Sequence, residues 1–131
     1  MSSTTSSAPR FTLYHNPSCS KSNATLTFLN SVLSPSTLHI VDYTSTLPAL
    51  DELTKVCSLM PVGHRKEVVR WDEVDGEGAN VSDEDVDAIV RVVMQDVRKR
   101  LQRPLVVDWA NGKAVVGRPL ENVKALIGGE V

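Results

Sequence analysis

The sequence predicts an α/β fold in which a mixed sheet, built from an N-terminal βαβ unit and a C-terminal ββα unit, carries an all-helical insertion over about residues 48–102. Three observations predict it. Two short β-branched or aromatic runs near the N-terminus flank a stretch of helical period. Two further β runs near the C-terminus are separated by Asn111-Gly112, a hairpin signal because both residues tolerate positive φ. Between the two pairs, apolar residues recur every three or four positions and no strand pattern intervenes.

Taken in order, residues 1–9 (MSSTTSSAP) are Ser/Thr-rich with little to bury, which reads as a tail ahead of one domain over residues 10–131. Residues 10–15 (RFTLYH) alternate apolar and polar and form a first strand, broken by Asn16-Pro17-Ser18. From Ser20, the spacing of Ala24, Leu26, Phe28, Leu29, Val32 and Leu33 is helical, and Pro35 ends it. Residues 38–43 (LHIVDY) form the second strand, parallel to the first because a crossover helix joins them. Pro48 opens a helix with Leu50, Leu53, Cys57 and Met60 on one stripe, and Pro61 stops it. Residues 63–71 read as a short helix, and residues 75–78 (DGEG) as an acidic turn.

The clearest helix follows. Ser82-Asp83-Glu84-Asp85 supplies a capping hydroxyl and a negative first turn, and Val86, Ile89, Val90, Val93, Met94, Val97 and Leu101 share a face of what reads as one helix. Residues 105–109 (LVVDW) and 113–117 (KAVVG) form the closing antiparallel pair, and Pro119 opens a last helix with Val123, Leu126 and Ile127 inward and Gly128-Gly129 at its end.

Composition narrows the function. Fourteen basic against sixteen acidic residues leave a net charge of −2, so no global field draws in nucleic acid or an anionic membrane, and any anion site must be local. No apolar run approaches the roughly 20 residues of a membrane span, and the N-terminus has no secretory pattern. The expectation is a cytoplasmic protein with reduced thiols; a mitochondrial location stays open, although residues 1–9 hold no basic residue.

Chemistry concentrates at Cys19, which follows the first strand and sits at the start of the first helix. Backbone N–H groups and the helix dipole there favour an anion. A free cysteine of pKa near 8.5 is only about 3% thiolate at pH 7, so such stabilisation decides whether the sulfur attacks. Ser22, at i+3, either hydrogen-bonds the thiolate or is an ordinary helix serine. His15 either tunes the thiol or ends the strand. Cys57 lies on an apolar stripe and reads as a core thiol. Arg103 and Arg118 each precede a proline and flank the closing hairpin; an arginine fork suits tetrahedral oxyanions, although a lone arginine is usually a solvated surface group.

These residues carry a resemblance. Tyr14-His15-Asn16-Pro17-Ser18-Cys19-Ser20-Lys21-Ser22 resembles the YHNPxCSKS signature of ArsC-type arsenate reductases, and residues 102–107 (QRPLVV) with Gly117-Arg118-Pro119 resemble that family's RPxVV and RP segments. The resemblance implies a thioredoxin-like fold, Cys19 as nucleophile, and Arg70, Arg103 and Arg118 around an oxyanion, with Arg65 the competing third arginine. It also implies a cis peptide at Arg103-Pro104. The implied activity is attack on arsenate and reduction of the adduct to arsenite by glutathione and glutaredoxin, with no metal or tightly bound cofactor, in a monomer. Relatives of the same fold define two other readings: a glutathione-dependent thiol-disulfide oxidoreductase acting on another substrate, and an Spx-like regulator, whose CxxC switch is CxxS here.

Overall fold

The computed structural model describes residues 9–74 and 81–128. The acidic turn at 75–78, residues 1–8 of the tail and Gly129 lie outside them. Four strands, β1 (Phe11–His15), β2 (Leu38–Asp42), β3 (Leu105–Asp108) and β4 (Lys113–Val116), form one sheet in the order β2-β1-β3-β4. β1 runs parallel to β2 with Leu13 opposite Ile40, and antiparallel to β3 with Leu13 opposite Val106. β3 pairs antiparallel with β4 across the Asn111-Gly112 turn, where Gly112 takes a φ of 63°. The sheet is therefore mixed, as expected.

The sheet's two faces bury two apolar clusters. Phe11, Leu13 and Val106 point to one face and pack with Leu29 of α1 (Ser20–Val32) and with Val123 and Ile127 of α5 (Glu121–Gly128). Tyr14, Leu105 and Val107 point to the other and meet the helical insertion through Leu53, Val56 and Cys57 of α2 (Leu50–Ser58) and Ile89, Val90 and Val93 of α3 (Val86–Met94). The period of two along β1 and β3 divides the core. Every residue of those two strands is buried, because helices cover both faces.

Two elements of the insertion differ from the sequence reading. Residues 63–71 form short 3-10 turns, Arg65–Val68 and Trp71–Glu73, joined where Val69 bridges Leu101. Residues 82–101 are two helices, because the Asp96 carboxylate accepts the Lys99 N–H and starts α4 (Val97–Arg100). The cap of α3 is Asp85, which accepts from Ala88 N–H, and the Ser82 hydroxyl instead takes Glu84 N–H one turn earlier. Asp108, read as a plain strand residue, is fully buried. It accepts both Arg10 Nε at 3.0 Å and Arg10 Nη2 at 3.1 Å, and it collects N–H groups of the hairpin turn.

Candidate active site

The loop from Asn16 to Cys19 is folded by its own polar groups. The Asn16 carbonyl accepts Cys19 N–H at 3.0 Å, and its side-chain oxygen accepts Ser18 N–H at 2.9 Å. Asn16 Nδ2 reaches the hydroxyl of buried Tyr43 at 3.2 Å, which ties the loop to the end of β2. Cys19 is thereby held as the N-cap residue of α1, its backbone extended and its carbonyl accepting Asn23 N–H. The open N–H groups of the first helical turn face its sulfur.

Partial burial of Cys19 pushes its thiol pKa up, but hydrogen bonds from the Ser22 and Lys21 main chain, the Arg118 charge and a hydrogen bond from Arg103 outweigh it and hold the thiol below its ordinary value. Arg118 Nη2 lies 3.4 Å from Cys19 Sγ, and Arg118 Nε donates to the Arg103 carbonyl at 2.7 Å. That second bond fixes the guanidinium plane. Gly117 makes the approach possible: a Cβ there would stand 2.8 Å from both Pro104 Cγ and Val123 Cγ2. The Arg103-Pro104 and Arg118-Pro119 bonds are both cis, the second one not foreseen.

Arg103 Nη1 reaches the Leu101 carbonyl at 3.4 Å, and its Nε is buried without a partner among the described residues. A buried donor left open beside a thiol is a place for an anion. Arg70 hydrogen-bonds through its backbone N–H to Arg100 O, and its side chain lies 3.8 Å from the exposed Asp72 carboxylate. Its charge reaches the Tyr43 hydroxyl together with those of Arg103 and Cys19, so Tyr43 marks where their fields overlap. Arg65 is aimed elsewhere: Nε donates to Met60 O and Nη2 to Ser58 O, closing the end of α2. Of the two candidates for the third arginine, the fold brings Arg70 to this side.

Ser22 and His15 are arranged differently from the CxxS reading. Ser22 Oγ is fully buried, accepts Asn16 N–H at 3.0 Å and lies 2.6 Å from His15 Nδ1. The hydroxyl is committed to the loop and the histidine, and Ser22 reaches the sulfur through its main-chain N–H. Burial lowers the His15 pKa in spite of Asp42, so the neutral imidazole is favoured and His15 supports the loop through Ser22. Cys57 is buried on α2 near Arg65, and burial pushes its thiol up to about 11. The roles of Asn16 and Tyr43 are not legible in the sequence. The Asn-Pro break marked a turn but not its hydrogen bonds, and Tyr43 read as the end of a strand.

A mixed four-stranded α/β sheet of thioredoxin-like type, with a cysteine at the N-terminus of its first helix and arginines converging from the closing hairpin, defines the class of this protein. Residues 2–117 match the family described as "Protein of unknown function (DUF1687)". The chain is 36% identical over 124 residues to an arsenate reductase of Neisseria meningitidis serogroup A, covering 91% of this chain and 99% of that one. Its structure resembles the arsenate reductase from Vibrio cholerae (TM-score 0.67, 30% identity, 90% of this chain and 98% of that one). It equally resembles a putative arsenate reductase from Yersinia pestis (TM-score 0.67, 27% identity, 88% and 98%). The chain belongs to the DUF1687 family and, with these relatives, to the ArsC-like group. Among the described residues no helix is long and apolar enough to cross a membrane.

Proposed function

We propose that the protein is a cytoplasmic, monomeric arsenate reductase that uses Cys19 as nucleophile and glutathione with glutaredoxin as reductant. The observation that carries this reading is the 3.4 Å contact between Arg118 Nη2 and Cys19 Sγ, made beside the open buried Nε of Arg103. One arginine thus meets the thiolate while its neighbour keeps a donor for an oxyanion. Arg70 supplies further positive charge from the insertion.

In this reaction the Cys19 thiolate bonds to arsenic(V) and an arsenate oxygen leaves as water after protonation. The arginines neutralise the charge on the remaining oxygens. A glutathione thiolate then attacks the Cys19 sulfur. An S–S bond forms as the S–As bond breaks, the bonding pair stays on arsenic, and arsenite leaves. A glutaredoxin thiol removes glutathione from Cys19 and restores the thiolate. Arsenic gains two electrons and two thiols become a disulfide.

The experiment is an arsenate reduction assay with glutathione and glutaredoxin, wild type beside Cys19→Ser. Arsenite production by the wild type alone is the expected result. A folded wild-type protein that turns over a glutathione mixed disulfide but not arsenate would move the assignment to the thiol-disulfide oxidoreductase reading.

A further inference from the structure

Beside Arg118, on the side of the helical insertion, lies a cavity of about 330 Å³. One wall is the outer edge of β4. The opposite wall is Met60, Pro61, His64 and Glu67, and Pro119 and Asn122 close one end. Its volume falls within the usual range for small-ligand sites, roughly 300 to 1,000 Å³. Arg118 lines this cavity and also meets Cys19 Sγ, so one guanidinium links the two.

The β4 edge is chemically specific. Because β4 is the last strand of the sheet, its main-chain groups alternate between β3 and the outside. Ala114 N–H points outward, where Leu59 O accepts it at 3.3 Å, and Val116 O points outward, where Asn122 Nδ2 donates to it at 3.1 Å. Antiparallel geometry therefore turns Ala114 C=O and Val116 N–H the same way, and among the described residues neither has a protein partner. One acceptor and one donor spaced along an edge strand are what an extended peptide main chain pairs with.

The facing wall carries two opposite charges. His64 Nδ1 lies 2.7 Å from Glu67 Oε2, both side chains are largely exposed, and the carboxylate raises the imidazole pKa and favours its cationic form. Such a pair complements a zwitterionic amino-acid head, the ammonium toward Glu67 and the carboxylate toward His64. Apolar Met60, Pro61 and Val115 line the space between.

We propose that this cavity is the docking site of the reductant, a small γ-glutamyl thiol peptide, whose cysteinyl residue donates its N–H to Ala114 C=O and accepts Val116 N–H at its C=O while its zwitterionic head meets His64 and Glu67. The inference rests on the proposed function for the identity of the reductant. Docking there sets the peptide beside Arg118, whose guanidinium meets Cys19 Sγ.

The test contains no arsenate. Cys19 is converted to its mixed disulfide with thionitrobenzoate, Cys57 being buried, and release of thionitrobenzoate by added thiol is followed as the incoming thiolate exchanges the S–S bond. With glutathione, the release rate should saturate. His64→Ala/Glu67→Gln should raise the half-saturating concentration about fivefold or more, and leave release by 2-mercaptoethanol within about twofold. Cysteinylglycine, which lacks the γ-glutamyl head, should not saturate on the wild type and should not distinguish the two proteins. This arm stands even if the double variant fails to fold. A glutathione rate that is linear in concentration, or that is equal for wild type and a folded double variant, overturns the proposal. Arsenate turnover with either of those results sinks the docking site alone, and saturable, head-dependent release without arsenate turnover sinks the arsenate reading alone.

Discussion

The two cysteines pose one question in two places. Cys19 and Cys57 each lie near an arginine, Arg118 and Arg65, yet the Cys19 thiol is held below its ordinary value and the Cys57 thiol is pushed up to about 11. A nearby positive charge does not decide the matter. At Cys57 the thiol is fully buried on α2, its sulfur donates to the Arg65 carbonyl at 3.9 Å, and burial of an anion costs more than the arginine returns. At Cys19 the sulfur faces the N–H groups of a helix start at the rim of the sheet, where several donors act together. An activated thiol here requires converging donors and partial access, and one guanidinium in a core supplies neither.

The largest expected contrast is the loss of each sulfur. Cys19→Ser should abolish arsenate turnover by roughly 10³-fold or more, because an alcohol of high pKa replaces the attacking thiolate. Cys57→Ala should keep turnover within about twofold and lose about 1 to 2 kcal/mol of stability to the small cavity it leaves. Steady-state kinetics and thermal melting on both variants check this. Activity abolished in a folded Cys57→Ala protein would make Cys57 a reacting thiol and erase the comparison.

Next come the arginines. Arg118→Ala and Arg103→Ala should each cost about 10- to 150-fold in kcat/KM on arsenate, matching charge-assisted hydrogen bonds of about 1.5 to 3 kcal/mol, with lysine restoring part of it. Arg70→Ala should cost less, since Arg70 is further from the sulfur's own contacts. Arg65→Ala should leave turnover unchanged and lower stability through the end of α2. Kinetics on the four variants decides, and a large activity loss confined to Arg65 would reverse the assignment of the third arginine.

Gly117→Ala sharpens the geometric half. The added Cβ must displace Pro104 or Val123, at a cost of about 1 to 3 kcal/mol in stability, and it moves Arg118 from the sulfur. A melting curve and the alkylation midpoint of Cys19, measured together, should both shift. A shifted melt with an unshifted midpoint would mean that Arg118 placement does not depend on this close packing.

The smallest effects are in pH. Iodoacetamide should alkylate Cys19 with a midpoint below about 8.5, the free-cysteine value, while native Cys57 stays unmodified. Cys57 has its folded pKa raised above that free value, so the stability it contributes is complete below about 8.5 and is lost as pH rises toward about 11. Alkaline melting of Cys57→Ala should be flatter across that window than that of wild type. A wild-type Cys19 midpoint at or above 8.5 would leave the two cysteines alike and remove the basis for calling Cys19 activated.

The order of elements, the mixed sheet and the placement of Cys19 at a helix start are legible in the sequence, since each is local: a period of two or 3.6, a proline, an Asn-Gly pair. The sequence also singles out Arg103 and Arg118, through their prolines and the likeness of their segments to a known family. The rest lies in contacts between distant segments. Residues 82–101 break at Asp96 because a cap competes with an apolar stripe, and the stripe alone favoured one helix. Ser22 turned its hydroxyl to His15 and its main chain to the sulfur, a choice that spacing on a helix leaves open. Arg70 and Arg65 were separable only by where α2 ends, and Asp108 could meet Arg10, 98 positions away in the chain, only once the sheet had formed. Local patterns set what each segment becomes, whereas burial and hydrogen-bond pairing between segments set what each side chain touches.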